Sequence, residues 1–225
     1  MSMIWRIIQF GDSLLTAIPP QSLRPRKAPR QARASATLDA IFEATIQLLV
    51  RDGYPKLTTR RVAERAGVSV GTMYQYFPHK QALIYAVNER YLEILGDKIE
   101  ATCRAAHGRD SIEMVEALID TYWTAKTERP DVTRALYRSS VELDNEALLA
   151  HFAARTDEST TAMLASARDM SFRDVESVNR TLVIVIFGAV RNSFERSISD
   201  KAVEDLRGQL LAMCCAYLRN CASPC

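Results

Sequence analysis

From residue 35 onward the apolar positions of this chain recur every three or four residues, the spacing of helices that bury one face. Leu38, Ile41, Phe42, Thr45, Leu48 and Leu49 make the first stripe and predict a helix over 35–51, stopped by Asp52-Gly53. Val62, Ala63 and Ala66 share one face of a short second helix, with Thr58 as its N-cap and Gly67 as the residue that ends it. Arg61 sits where a reciprocal capping box needs Glu or Gln, so the cap is single. Ser69 opens a third helix over 70–77, about two turns long, whose Met73 and Phe77 point inward. Leu83, Ile84, Val87, Tyr91, Leu95 and Ile99 then predict one long helix from near Pro78 to near Gly108. Further periodic stretches fall at 110–127, 131–141, 145–169, 171 or 174 to 197, and 201–218, with Asp110 and Asp200 as caps and Pro130 as a break. No strand alternation, repeat or low-complexity tract interrupts them. The fold class is all-α.

The second and third helices form a helix-turn-helix, with 70–77 as the recognition helix. Thr72, Gln75 and Tyr76 are expected on its outward face, with Gly71 and Tyr74 at the edges. Small, hydroxyl, amide and phenol groups on a tightly held helix suit a groove surface better than a core. Thr58-Thr-Arg-Arg-Val-Ala-Glu-Arg-Ala-Gly-Val-Ser-Val-Gly-Thr-Met-Tyr-Gln-Tyr-Phe77, followed by Pro-His-Lys-Gln-Ala-Leu83, resembles the DNA-binding domain of the tetracycline-repressor (TetR) family of bacterial transcription regulators. The likeness covers roughly 35–91, and Arg61 stands where that family often has an acidic residue.

Organisation and charge agree with that likeness. The expected division is an N-terminal extension and basic linker (1–33), a three-helix DNA-binding domain (34–80), and a helical ligand-binding and dimerisation domain (81–225). The net charge of +2 hides an asymmetry, because residues 1–80 hold 12 Lys+Arg against 5 Asp+Glu while the rest is acidic. A basic end on an acidic body is what phosphate binding requires. Pro19-Pro20, Pro25 and Pro29 mark an extended linker carrying Arg24, Arg26, Lys27, Arg30 and Arg33, which can follow phosphates or enter a minor groove. Residues 1–20 hold an apolar helical face interrupted by Arg6, Gln9 and Asp12, neither a membrane span nor a signal peptide.

Double-stranded operator DNA is therefore the expected partner. Thr72, Gln75 and Tyr76 are assigned to base edges, and Gly71 to close approach of a phosphate. Thr59, Ser69, Val70, Tyr74, His79 and Lys80 complete the interface, with Arg30 and Arg33 from the linker.

In the body, 182–190 is apolar on almost every side, so that helix must be covered twice. Leu182, Ile186 and Val190, with Leu206, Leu210 and Tyr217 of the last helix, are the expected faces of a four-helix homodimer interface, the arrangement the TetR resemblance also implies. Met114, Leu118, Tyr122, Trp123, Tyr137, Phe152, Met163 and Phe187 lie at interior spacing and suit either core packing or an apolar pocket for a small-molecule effector. The family likeness favours the pocket and a repressor released by its ligand. A hydrophobic or aromatic effector is expected, and the acidic body tilts the expectation toward a neutral or cationic one.

No enzyme motif, phosphate-binding loop or metal-ligand spacing is present, and no cofactor is expected. Cys103, Cys214, Cys215, Cys221 and Cys225 form no Cys-x-x-Cys pair. They read as apolar fillers in a protein of the reducing cytoplasm, the alternative being a redox- or metal-sensing regulator that uses the C-terminal four.

Overall fold

The computed structural model describes residues 32–140, 143–196 and 200–223, which form nine α-helices and no strand. They are α1 (Ala32–Lys56), α2 (Thr59–Ala66), α3 (Val70–Tyr76), α4 (Lys80–Ala106), α5 (Ser111–Thr127), α6 (Pro130–Ser140), α7 (Glu146–Ala165), α8 (Val175–Glu195) and α9 (Asp200–Cys221). The amphipathic stretch 1–20 and the proline-marked linker lie outside the described residues.

Local chemistry sets the boundaries. Gly53 (φ 75, ψ 167) breaks α1 where Asp52-Gly53 was expected to stop it, and one further turn through Pro55 follows. Thr58 caps α2 by accepting from the Arg61 N–H at 3.3 Å. Arg61 has a second use: its guanidinium pairs with Asp52 and donates to the Lys56 carbonyl at 2.6 Å. The residue that spoils the reciprocal cap thus ties α2 to the end of α1. Gly67 takes the left-handed conformation (φ 68, ψ 28), and the Val68 N–H bonds back to the Ala63 carbonyl at 3.0 Å. His79, rather than Pro78, starts α4, its Nδ1 accepting from the Ala82 N–H at 3.2 Å.

At α5 the expected cap is exchanged. Asp110 occupies the N-cap position but makes no capping bond, because its carboxylate pairs with Arg168 at 2.6 Å. Asp169, from the loop after α7, accepts from the Ser111 N–H at 2.7 Å and the Ser111 hydroxyl at 3.0 Å instead. The swap stitches two loops that lie far apart in sequence.

Two cores result. Ile41, Leu48 and Leu49 of α1, Val62 and Ala63 of α2, Met73 and Phe77 around α3, and Leu83, Ile84 and Val87 of α4 fill the N-terminal one. Met114, Leu118, Ile119, Leu164, Leu182, Ile186, Val190, Leu210 and Leu218, with Leu95 and Ile99 of α4, fill the other. Helix α4 runs through both. So does α6: Val132 and Leu136 are buried in the N-terminal core, while Tyr137 packs on the body core. The Thr133 hydroxyl donates to the Lys126 carbonyl of α5 at 2.9 Å, and Arg129, just ahead of α6, reaches Glu43 of α1 at 3.4 Å. Where α4 meets α7, Gly96 leaves room for Arg155, since a Cβ there would lie 2.9 Å from its Nη1. That guanidinium pairs with Asp97 at 2.5 Å and with Glu100.

Because α6 belongs to both cores, Leu136→Ala should lower stability by about 2–4 kcal/mol while unfolding stays a single transition. Trp123 fluorescence in a Trp5→Phe background should fall at the same denaturant concentration as helical circular dichroism. Two separated transitions would show that the cores unfold independently.

Candidate nucleic-acid interface and body site

The helix-turn-helix is held from inside by Val62, Ala63, Met73 and Phe77, all fully buried. Ser69 caps α3 through the Thr72 N–H at 2.9 Å, and the two hydroxyls also lie 2.9 Å apart. This double contact fixes the first turn of α3 and engages Thr72. Val70, Gly71, Tyr74 and Gln75 remain exposed, Tyr74 at 45%. A Cβ on Gly71 would meet only Ser69 Oγ, at an ordinary 3.7 Å, so nothing inside the chain requires glycine there.

Several expected residues sit differently. Tyr76 is buried (7% exposed) in the N-terminal core, so its place on the outward face is corrected. On this seven-residue helix Met73 and Tyr76, three apart, share the inward arc. Thr59 is buried too, its hydroxyl 3.5 Å from the Tyr74 hydroxyl, and is better placed to steady Tyr74 than to meet a phosphate. Lys80 donates to the Tyr54 carbonyl at 3.3 Å with its ammonium 4.0 Å over the Tyr54 ring, which fastens α4 to the end of α1. His79 is engaged as the α4 cap. Arg30 and the side chain of Arg33 lie outside the described residues. Exposed Arg60, in the first turn of α2, was passed over.

Four of the expected dimer residues face inward. Leu182, Ile186, Val190 and Leu210 are buried within a single chain. A helix apolar all round gives no phase from which to tell its inner side from its outer. The outward side carries Ile184 (46% exposed) and Gly188 on α8, and Met213 (52%), Ala212 and Ala216 on α9. Leu206 and Tyr217 are half-buried at its margin.

The eight aromatic and sulfur-bearing residues assigned to a pocket are brought together, packed rather than lining a void. Met114, Leu118, Tyr122, Trp123 and Met163 are buried, and Tyr137, Phe152 and Phe187 pack against them. Tyr122 and Phe187 stack with ring centres 4.1 Å apart, and Phe152 lies 6.0 Å from Phe187. Open clefts of about 360 and 220 Å³ lie between α4 and α7; Met163 reaches the wall of the first, with Cys103, His107 and Ser159, and Phe152 that of the second, with Tyr85 and Glu89, while the other six line neither.

The unforeseen feature is Lys126, 1% exposed at the end of α5. Its ammonium lies 4.5 Å from the centre of the Tyr91 ring, 5.0 Å from Tyr137 and 5.3 Å from Tyr122. No described residue gives it a hydrogen bond or an ion pair. Burial, followed by the nearby Arg191 guanidinium, lowers its pKa to about 7. Ring contacts return about 0.5–2 kcal/mol, while desolvating an ammonium costs several kcal/mol, so the site is held at a net cost. A signal was available: Val115, Ile119, Tyr122 and Lys126 fall on one helical stripe.

Three of the four described cysteines are shielded from solvent. Cys103, Cys214 and Cys215 are buried, and burial pushes the Cys214 thiol up to about 11, which suppresses the thiolate. No group of metal-ligating side chains is assembled among the described residues. Cys225 lies outside them. No helix of the described residues is long and apolar enough to cross a membrane.

A capped helix-turn-helix on a larger helical body is a class of architecture built to present one short helix, and comparison with known proteins places it. Residues 41–87 match the model for bacterial regulatory proteins of the tetR family, and residues 112–218 match the tetracyclin repressor-like C-terminal domain. The chain belongs to the TetR family. Among curated relatives, the HTH-type transcriptional repressor KstR of Rhodococcus jostii is 33% identical over 107 residues, 48% of this chain and 49% of that protein. The nucleoid occlusion factor SlmA of Actinobacillus pleuropneumoniae is 31% identical over 137 residues, 60% of this chain and 64% of its own length. A TetR transcription regulator from Haloarcula marismortui superposes with a TM-score of 0.63 at 25% identity, covering 84% of this chain and all of that one. The matched segments thus span between half and two thirds of the curated relatives' length.

If the Lys126 ammonium is the burdened group, Lys126→Met should raise stability at pH 7 by about 1–4 kcal/mol. Its folded pKa lies below the unfolded value, so the penalty is complete below about pH 7 and fades as pH rises toward 10.5. The advantage of the variant should therefore shrink between pH 7 and 9.5, a window in which the Tyr122 and Tyr137 hydroxyls, pushed upward by burial, stay neutral. Urea titrations at several pH values measure this, and a pH-independent difference would contradict it.

Proposed function

We propose that this chain is a homodimeric repressor of transcription that binds double-stranded operator DNA through α3 and releases it when a small apolar molecule enters the body. The observation that carries this is the presentation of α3. It is capped at Ser69, clamped beneath by Met73 and Phe77, and exposes Val70, Gly71, Tyr74 and Gln75 together. Gln75 is the residue for a base edge, Tyr74 and Ser69 for phosphates, and Gly71 for the closest approach of the DNA backbone. Repression as the sign of control is supported by the likeness to KstR, and a cytoplasmic site of action by the target itself.

The dimer is built on α8 and α9. Ile184 and Met213 are large, apolar and exposed, and Gly188 and Gly208 beside them have nothing within 4 Å of where a Cβ would sit. That surface suits the same surface of a second copy, in a two-fold interface. Two copies place two α3 helices on successive major grooves, about 34 Å apart. In the body, shared packing of α6 offers a route by which a ligand alters the spacing of the two heads.

Gly71→Ala is the sharpest test of the DNA reading. It should leave the melting temperature unchanged or raise it, helix propensity favouring alanine by about 1 kcal/mol. Binding to DNA flanking its own gene, followed by footprinting, should weaken at least about tenfold. Gln75→Ala should relax discrimination at one base position and leave binding to random DNA unaltered. Full binding by Gly71→Ala would remove α3 from the interface.

Assembly is tested by two charges placed two residues apart. Ile184→Asp should yield a folded monomer by sedimentation and lose operator binding, because the half-sites are no longer held together. Ile186→Asp should instead unfold the body, its side chain being fully buried in the chain's own core. A dimeric Ile184→Asp would place the interface elsewhere.

A further inference from the structure

A buried cation is ordinarily matched by an anion, and Lys126 is not matched by any described residue. The described side chains placed around it are aromatic rings and a neighbouring guanidinium. Tyr137 Oη is buried without a hydrogen-bond partner, although the Tyr122 hydroxyl is near enough to affect it. Arg134 Nε, on the same helix α6, is likewise buried and unpartnered, and its guanidinium lies 5.7 Å from the Phe194 ring centre. The Arg191 guanidinium of α8 lies 5.2 Å from the Tyr137 ring, which Lys126 approaches at 5.0 Å. Helices α5 and α6 thus bring to one spot an ammonium that no described residue matches and a buried hydroxyl, walled by the rings of Tyr91, Tyr122 and Phe194.

Such a spot selects for one charge sign and for a particular partner. The walls are apolar, so whatever brings the negative charge must also bring apolar surface. An ammonium and a phenol hydroxyl match the two oxygens of a carboxylate. Tyr137, Phe152 and Phe187 are the half-buried members of this packed cluster, so an apolar tail enters by moving those rings aside.

We propose that the body of this protein binds a hydrophobic monocarboxylic acid, with the carboxylate held by Lys126 and Tyr137 and the tail among Tyr122, Trp123 and Phe187. The sign is opposite to the one the acidic composition of the body predicts. As the identity of the effector, it rests on the reading of the body as an effector domain. The placement serves that role, since the Lys126 carbonyl accepts from Thr133 of α6, the helix whose Val132 and Leu136 sit in the N-terminal core.

The test needs no DNA. Decanoate, decanol and decyltrimethylammonium share a tail and differ in the head. In a Trp5→Phe background, decanoate should change Trp123 fluorescence saturably and raise the melting temperature, with decanol and the ammonium compound at least about tenfold weaker. Lys126→Met should remain folded and lose that preference, binding decanoate and decanol within about twofold of each other. Tyr137→Phe, which keeps the ring and removes one donor, should weaken decanoate several-fold and leave decanol unchanged; it decides the matter if Lys126→Met does not fold. Undiminished decanoate binding by these variants, no saturable response to decanoate, or a preference of the native protein for the ammonium compound would overturn the proposal. The last result would point to the Glu89-lined cleft between α4 and α7 instead. Adding DNA separates the two readings: carboxylate binding that depends on Lys126 while the operator stays bound keeps the site and removes its effector role.

Discussion

The packing of α6 is the contact on which the rest of the molecule depends. In eleven residues it sends Val132 and Leu136 into the core beneath the helix-turn-helix and lays Tyr137 against the core of the body. Thr133 joins it to α5, and Arg129 at its start reaches back to α1. Interiors are close-packed, so a helix that fills space in two cores cannot shift in one without disturbing the other. The N-terminal helices are therefore carried by the body, although a linear reading divides them from it at residue 80.

How much was legible depended on how local the cause was. Thr58, Gly67 and Ser69 act on their immediate neighbours, through a hydroxyl on a free N–H or a backbone angle, and their roles read directly from spacing. The swap at α5 was hidden, because Asp169 caps Ser111 from a distant loop while Asp110 is drawn away by Arg168. Tyr76 is less legible, because on a helix of two turns the positions three and four after Met73 can both turn inward, and both Tyr76 and Phe77 do.

Helix α8 failed for the opposite reason, an excess of apolar signal. Every side reads as interior between Leu182 and Val190, so the pattern cannot separate Ile186, which is buried, from Ile184, which is exposed. Lys126 is the opposite case, since a lysine ordinarily marks a solvated side and this one is buried. The exception was detectable only by asking what else shared its stripe. Both failures concern the face of a correctly placed helix, where burial by distant segments decides.

Helix α4 has 27 residues, so at 1.5 Å per residue it is a rod about 40 Å long. Its first two turns lie in the core under α2 and α3, and its last turns lie in the body. A rod of that length acts as a pointer: a tilt of about 5° at the body end displaces the far tip by roughly 3 Å. That is about the length of a hydrogen bond, the whole margin between a side chain that reads a base and one that does not. Side-chain repacking too slight to alter any helix boundary would thus be magnified, over the length of α4, into a displacement of that size at the helix-turn-helix.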